Sequence, residues 1–322
     1  MLSDMKFYEA PSSSLWQGRK DSLPEERFFQ KVTCCDLRGA HPTQPEEAMV
    51  LIGFGSDEGV RRNLGRTGAK EGPDAIRRQL GALASHNNLN LMDVGNIICN
   101  ENQLEAAQEH FATLIQHFQN QGYKTVALGG GHEIAWGHFM GLAAQYPDIG
   151  IINFDAHFDL RPKIESATSG TPFWQIRQYC IENNLDFNYC CLGIQPTANT
   201  KSLFDSAHEF KVSYLTADQM HAESIAWQMA FLDDFVLRHE HLYVTICLDV
   251  FSESHAPGVS APQAMGLSPA QVFTLLKYIT QTGKVVSLDI AELSPPLDQG
   301  QQTARLAANL LAKFLNLIYK GM

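Results

Sequence analysis

Residues 151–159 read Ile-Ile-Asn-Phe-Asp-Ala-His-Phe-Asp, a short apolar run that ends in two acids and a histidine at alternating positions. Because the run is apolar nearly throughout, it predicts a strand buried on both faces, as in parallel sheets. Alternate side chains of an extended segment point to the same side, so Asp155, His157 and Asp159 are expected to converge. Two carboxylates and an imidazole suit a divalent ion such as Mn²⁺. A capped strand end with solvated acids is the alternative.

The rhythm of buried strand and helical stretch extends over the whole chain. Strands are predicted at 50–54, 124–128, 149–154, 189–194, 242–248 and 284–288. This alternation favours an α/β fold with a mostly parallel central sheet covered by helices on both faces. No linker or compositional break divides the chain, so we predict one domain over residues 1–322, with residues 1–45 as an N-terminal extension packed on it.

Composition narrows the class of partner and the compartment. The net charge of −11, with no long basic run, disfavours nucleic acid and anionic membranes as partners. No stretch approaches about 18 uninterrupted apolar residues, and the first residues lack the apolar core of a signal peptide, so no membrane span is expected. Seven cysteines, an odd number with two adjacent pairs, do not resemble a disulfide framework. A reducing cytoplasm is therefore expected.

Other predicted strands also end in polar residues. Three glycines and His132 follow the predicted strand at 124–128. Cys247 and Asp249 share one face at the end of the predicted strand at 242–248. Glu292 follows the last strand and suits a two-point contact with an amidine-like cation. Singly, these have plain structural explanations, namely a turn after a strand, a packed thiol and a loop carboxylate. Because ligand sites collect beyond the carboxyl ends of parallel strands, together they predict a two-metal hydrolase.

The order of these motifs resembles the arginase, agmatinase and formimidoylglutamase family. The shared features are a histidine after a glycine turn, Asp-Ala-His-x-Asp, an Asp on the Ala-Pro-Gly strand, and Asp-x-x-Glu. The resemblance covers nearly the whole chain. It implies a three-layer α/β/α fold, a binuclear manganese centre, hydrolysis of a C–N bond in a small guanidino or formimino substrate, and a homo-oligomer. The metal ligands that it implies are His132, Asp155, His157, Asp159 and Asp249.

The resemblance also implies individual roles for three acids. Asp155 would bridge the two ions, Asp159 would relay a proton to the leaving amine as well as bind metal, and Glu292 would orient the substrate's amidine. Asp159 and Glu292 are therefore the catalytic candidates.

Within the family, several segments resemble the formimidoylglutamases. Residues 16–19 and 57–69 are two of them, and Gly131 stands where arginases and agmatinases usually have Asp. Residues 169–173, Ser-Gly-Thr-Pro-Phe, lack the histidine that arginases carry in this loop. This closer resemblance implies hydrolysis of N-formimino-L-glutamate to L-glutamate and formamide, a step of histidine breakdown.

Such a substrate carries two carboxylates, and the sequence offers candidates to bind them. Arg161, two residues beyond Asp159, is placed to clamp a carboxylate in bidentate fashion, and Arg66 is a second candidate. Ser169 and Thr171 are further candidates for substrate contact. For Arg161, a surface ion pair is the alternative role.

Cys247 departs from the family pattern. The family's metal strand carries Asp-x-Asp, whose first Asp normally bridges both ions, and Mn²⁺ disfavours a thiolate relative to a carboxylate. Three outcomes follow from this departure. The site binds both ions with a distorted or thiolate bridge, or it prefers a softer metal or holds one ion, or the protein has lost catalysis and kept the fold. The alternative is that the Cys247 thiol serves only for apolar packing. We expect an active hydrolase. The alternatives are another ureohydrolase, acting on a guanidino or amidine substrate, and a non-catalytic binding or regulatory descendant.

Overall fold

The computed structural model describes residues 5–39 and 48–318, and its strands form one sheet. The strands are β1 (Tyr8–Glu9), β2 (Val32–Cys34), β3 (Ala48–Gly55), β4 (Asn90–Ile98), β5 (Lys124–Gly129), β6 (Gly150–Phe154), β7 (Tyr189–Ile194), β8 (Ser213–Thr216), β9 (Leu242–Cys247) and β10 (Val285–Ala291). They pair in the order β1-β4-β3-β5-β10-β9-β6-β7-β8, with β2 also beside β4.

Helices connect the strands. The α-helices are α1 (Phe28–Lys31), α2 (Glu58–Arg62), α3 (Gly72–Gly81), α4 (Leu104–Asn120), α5 (Ile134–Ala143), α6 (Pro172–Glu182), α7 (Lys201–Glu209), α8 (Ala217–Ala222), α9 (Ile225–Arg238), α10 (Pro269–Gln281) and α11 (Gln302–Leu317). Short 3₁₀ helices lie at Ser13–Leu15, Ala69–Glu71, Pro196–Ala198, Leu248–Val250 and Pro295–Leu297. Within the described ranges, none of the helices combines the length and the apolar character that crossing a membrane requires.

Alternate residues along the strands belong to two separate hydrophobic clusters. On β5, Val126 and Leu128 belong to the cluster that includes residues of α3, α9, α10 and α11. Ala127, between them, belongs to the cluster that includes residues of α4, α5, α6 and α7. All neighbouring strands of the described sheet run parallel except β1 and β4. The predicted three-layer α/β/α fold with a mostly parallel sheet is thereby confirmed.

The six predicted strands correspond to β3, β5, β6, β7, β9 and β10. β4 is missing from that set because Asp93, Gly95 and Asn96 interrupt its apolar pattern. Polar residues in a buried strand require partners, and these come from elsewhere in the chain. Such long-range partners leave no local periodic signal.

The polar residues of β4 form an ion pair and hydrogen bonds with Arg77 of α3. Arg77, whose side chain is 1% exposed, donates from Nε and Nη2 to the two oxygens of Asp93 at 2.9 and 2.8 Å. Arg77 also donates to the Gly95 carbonyl and to the Asn96 side chain. Trp16 donates its indole N–H to Asp93 at 2.8 Å. One buried ion pair thus ties β4 to α3 and to the N-terminal segment.

The N-terminal segment adds strands to the edge of the sheet. β1 pairs antiparallel and β2 pairs parallel with β4. Residues 1–4 and 40–45 of the predicted extension lie outside the described residues. The division into one domain with an N-terminal extension stays a prediction.

Replacing Asp93 by Asn should lower the free energy of unfolding by about 3–5 kcal/mol, because the Arg77 charge then loses its buried counter-ion and keeps only the half-buried Asp74, 3.5 Å away. Urea denaturation of the purified variant measures this change. The matched control is Asp21→Asn, which removes the exposed partner of Arg19 and should change stability by at most about 1 kcal/mol. Similar losses in the two variants would contradict the structural role of the Arg77–Asp93 pair.

Candidate functional site

The candidate ligands lie at the carboxyl ends of four neighbouring strands. β10 lies between β5 and β9, and β6 lies on the far side of β9. The register brings the ends together, since Ala291 of β10 pairs with Cys247 of β9 and Phe154 of β6 pairs with Ile246. The residues that follow these strands therefore meet at one edge of the sheet, although they are far apart in sequence.

His132 is the centre of the first group of contacts. Its Nδ1 lies 2.9 Å from Asp155 Oδ2 and 3.0 Å from Asp159 Oδ2. Its Nε2 lies 3.0 Å from the hydroxyl oxygen of Thr245, and that hydroxyl donates to Asp289 at 2.5 Å. Because the Thr245 hydrogen is used on Asp289, its oxygen accepts from Nε2–H. Nδ1 is then the ring atom that faces the carboxylates and is available as a ligand.

His157 forms the second group of contacts. Its Nδ1 lies 3.1 Å from Asp249 Oδ2 and 3.5 Å from Asp155 Oδ1. The backbone N–H of His157 donates to Asp155 Oδ1 at 2.8 Å. Asp155 is fully buried and contacts both histidines, one through each oxygen. It is therefore the shared member of the two groups.

The carboxyl groups of Asp155, Asp159, Asp249 and Glu292 converge here. In the described ranges, no lysine or arginine forms a salt bridge with any of them. Burial raises the pKa of Asp159 to about 6, with a further contribution from Asp155. Burial also raises the pKa of Asp249, again helped by Asp155. The pKa of Glu292 is raised well above its usual value by burial and by Glu133. The site is thus short of positive charge.

The pKa values of the two histidines are raised as well, although burial acts against this rise. Burial disfavours the imidazolium form of His132, but hydrogen bonds from its ring N–H to Asp155 and Asp159 hold its pKa well above the usual value. For His157, burial is likewise outweighed by the charge and hydrogen bonds of Asp249 and Asp155. A cation among these groups would take the place of the protons, because it favours the ionised carboxylates and the neutral imidazoles.

The donor set fits two neighbouring divalent cations. One set comprises His132, Asp155 and Cys247, and the other Asp155, His157 and Asp249; within each set the ligand atoms lie within 4.8 Å of one another. Carboxylate and imidazole donors suit Mn²⁺, whereas the thiol of Cys247 is a softer donor. Asp159, 3.0 Å from His132, lies beside the first set.

These residues line one cavity of about 420 Å³, a volume that suits a small molecule. Its lining includes His132, His157, Asp159, Cys247, Asp249 and Glu292, with Asn63, Arg66, Arg161, Ser169, Asn199 and Ser260. Five of the six predicted metal and catalytic residues thus face the cavity, and the sixth, Asp155, is buried behind them.

The predicted substrate-binding residues are placed differently from one another. Arg161 and Ser169 line the cavity, and Arg161 forms no salt bridge within the part of the chain that the structure describes. Arg66 also lines it, but its guanidinium donates to the backbone carbonyls of Ser260 and Val259 at 3.0 and 2.8 Å. Arg66 therefore holds the loop that forms this wall.

Thr171 does not line the cavity. Its hydroxyl donates towards the Thr168 carbonyl and the Gln175 side chain. It fixes the turn that presents Ser169, because Thr168 N–H in turn donates to its hydroxyl oxygen.

Two residues without a predicted role support the ligands. Asn199 donates to the Ala156 carbonyl at 2.8 Å and accepts from Phe158 N–H at 3.1 Å, which holds the loop between Asp155 and Asp159. No local pattern marks Asn199. Thr245 could have been found, because it alternates with Cys247 on one face of β9.

Asp159 and Glu292 both adopt left-handed backbone conformations, with φ of 49° and 71°. A residue with a side chain pays about 1–2 kcal/mol to adopt this conformation, so the surroundings must hold it there. Glu292 N–H donates to the Gly130 carbonyl at 2.8 Å, and its Oε1 accepts from His132 N–H at 2.8 Å. Backbone strain of this kind clusters at functional sites.

Gly131 leaves room for a buried carboxyl group. A Cβ at this position would lie 2.0 Å from Glu133 Oε2 and 2.6 Å from a methyl of Val60. Glu133 Oε1 accepts from the Ser56 hydroxyl and from Gly59 N–H, while burial raises the pKa of its carboxyl group to about 7. Glu133 therefore occupies the volume that a side chain at position 131 would need.

The variant Gly131→Ala should lose about 1–3 kcal/mol of folding free energy through overpacking. Gly39→Ala is the control, because its Cβ would meet no atom closer than 3.4 Å. In the double variant Gly131→Ala/Glu133→Ala, the loss should be smaller than the sum of the single losses, since the contact with Glu133 is removed and only that with Val60 remains. Additive losses in urea denaturation would contradict the contact.

The chain is similar in sequence to proteins of known family. A model of the arginase family matches residues 47–316. The chain is 54% identical to a formimidoylglutamase of Legionella pneumophila (strain Lens), over 98% of this chain and 99% of that protein. It is 42% identical to a formimidoylglutamase of Geobacillus thermodenitrificans (strain NG80-2), over 94% of each.

Solved structures agree. Trypanosoma cruzi formiminoglutamase with Mn²⁺₂ has a TM-score of 0.76 at 28% identity, over 85% of this chain and 94% of that chain. Bacillus subtilis formimidoylglutamase has a TM-score of 0.80 over 93% of both chains, and at 23% identity it supports the fold alone. From the family model and these near-full-length relatives, we conclude that the chain belongs to the arginase family.

Proposed function

We propose that this chain hydrolyses N-formimino-L-glutamate to L-glutamate and formamide with two bound Mn²⁺ ions. One observation carries the proposal: two ligand sets share Asp155 beside a cavity that Glu292 and Arg161 also line. Relatives at 54% and 42% identity, matched over nearly their whole length, are formimidoylglutamases, which supports the choice of substrate.

The chain's own residues would hold the ions and the reacting groups. Ligation falls to His132, Asp155, His157, Asp159 and Asp249, with Asp155 shared. When bound, the ions supply activation of a water for attack on the formimino carbon. Asp159 lines the cavity 3.0 Å from His132 Nδ1, a position from which it would pass a proton to the leaving amine.

Glu292 would bind the amidine head of the substrate. Its Oε1 accepts from His132 N–H, which leaves Oε2 for a charge-assisted contact with the amidinium. The raised pKa of Glu292 follows from burial and from the neighbouring carboxyl groups of Glu133 and Asp249, and an amidinium beside it would favour the ionised form.

Arg161 would bind a carboxylate at the glutamate end of the substrate. It lines the same cavity as Glu292 and is exposed there, so its guanidinium is available for a bidentate contact. Ser169 is placed to add a hydrogen bond from its wall of the cavity. In this proposal Arg66 and Thr171 act indirectly, by holding the loops on which the contact residues lie.

The substitution Arg161→Ala should raise KM for formiminoglutamate about 10–100-fold and change kcat less, because a charge-assisted contact worth about 1.5–3 kcal/mol is lost. N-methylformamidine, which has the same head and no carboxylate, should be hydrolysed equally by both proteins. Steady-state kinetics after Mn²⁺ loading give these values.

The same assay includes arginine and agmatine as competing substrates. Faster hydrolysis of either by the unmodified protein would overturn the proposed substrate. An equal loss with N-methylformamidine would show that Arg161 acts on the metal site rather than on the carboxylate.

A shared ligand and an unshared ligand should differ in their effect on metal content. Asp155→Ala should lose both Mn²⁺ ions, whereas His157→Ala should lose one, at a concentration that saturates the unmodified protein. Elemental analysis after gel filtration measures the ratio of metal to chain. Glu253→Ala, which removes an exposed acid, is the control and should retain both ions. Two ions in Asp155→Ala would rule out this ligand assignment.

A further inference from the structure

Cys247 differs from the other cysteines in its surroundings. All seven cysteines lie in the described residues and are free thiols. Six of them belong to the two hydrophobic clusters or pack against them. Cys247 belongs to neither cluster, although it is buried, with 2% of its surface exposed. A buried cysteine that serves only for packing is expected among apolar side chains.

The neighbours of Cys247 are ligand groups. Its Sγ lies within 4.8 Å of the ligand atoms of both His132 and Asp155. It also lines the cavity together with Asp249 and Glu292. Apolar packing therefore does not account for the position of the thiol. A cation held between Cys247, His132 and Asp155 does account for it.

The strand places Cys247 between the two groups of contacts. Thr245 and Cys247 alternate on β9, so their side chains point the same way, and Asp249 follows in the 3₁₀ helix Leu248–Val250. Thr245 contacts His132, and Asp249 contacts His157. A donor atom at position 247 consequently faces the space beside Asp155, which both ligand sets share.

We propose that the thiolate of Cys247 binds the cation held by His132 and Asp155, which makes the two subsites chemically unlike. One subsite then offers nitrogen, oxygen and sulfur, and takes borderline ions such as Co²⁺ and Zn²⁺ more readily than its neighbour. The other offers oxygen and nitrogen alone and keeps the preference for Mn²⁺. This inference rests on the two-ion site of the proposed function.

Cobalt reports directly on sulfur ligation. Titrating the metal-free protein with Co²⁺, under a non-thiol reductant, should produce a sulfur-to-cobalt charge-transfer band in the near ultraviolet that saturates at one Co²⁺ per chain. The band should be lost in Cys247→Ser and in Cys247→Asp. Cys190→Ala removes a thiol from the hydrophobic core and should keep the band in full.

A second measurement uses metal competition and does not depend on the Ser variant folding. From an equimolar mixture, the ratio of bound Zn²⁺ to bound Mn²⁺ should fall in Cys247→Asp relative to the unmodified protein. Binding of two Co²⁺ ions without the band, survival of the band in Cys247→Ser, or an unchanged metal ratio would overturn the proposal.

Failure of the proposed function is distinguishable from failure of this inference. A protein that hydrolyses formiminoglutamate with two Mn²⁺ ions but gives no cobalt–sulfur band contradicts the role of Cys247 alone. A protein that gives the band but hydrolyses no formiminoglutamate supports Cys247 as a ligand while the proposed substrate fails.

Discussion

Repulsion among buried carboxyl groups is the constraint around which this end of the sheet is organised. Asp155 and Asp159 both face His132, while Asp249 and Asp155 both face His157. Isolated charges of this kind are costly to bury, and among the described residues the charge is met by the imidazoles, by hydrogen bonds from backbone N–H groups and from Asn153, and by protons. Divalent cations would meet it more fully. Metal occupancy and the stability of this region should therefore rise together.

A buried network of polar side chains lies next to the candidate ligands. It accounts for hydrophilic residues such as Thr245 and Asp289 in strands that are otherwise apolar. Asp289 on β10 accepts hydrogen bonds from Thr245 and from Tyr243, and its Oδ2 lies 2.7 Å from His138 Nδ1. Through Thr245 this network fixes which nitrogen of His132 faces the cavity. Fully bonded networks of this type favour one arrangement of the groups above them.

The sheet and most of the site could be predicted because both depend on local patterns. An apolar run predicts a buried strand, and Asp155, His157 and Asp159 follow directly after it. They meet at the end of β6, although the backbone turns there and does not continue as a strand. Parallel strands end at the same edge, so the lateral order of the strands was not needed. β4 and Asn199 depend on partners distant in sequence, and no local pattern marks such contacts.

The same reasoning explains which substrate-side residues were harder to place. Arg66 and Arg161 are alike in sequence terms, both being cations near a candidate loop. Their difference arises because backbone carbonyls at Val259 and Ser260, about two hundred positions away from Arg66 by their numbering, engage only the first of them. Ligands of a metal are constrained by chemistry and spacing, whereas a substrate contact depends on where loops fold back.

The close approach of Glu133 and Val60 to Gly131 bears on how this sequence is able to change over evolutionary time. A side chain at position 131 would require Glu133 and Val60 to move, so an exchange at position 131 should be tolerated best when the residue at position 133 is shorter. A single exchange at 131 passes through a less stable intermediate. An exchange at position 131 should therefore be easier to accept after the side chain at position 133 has become shorter than before it.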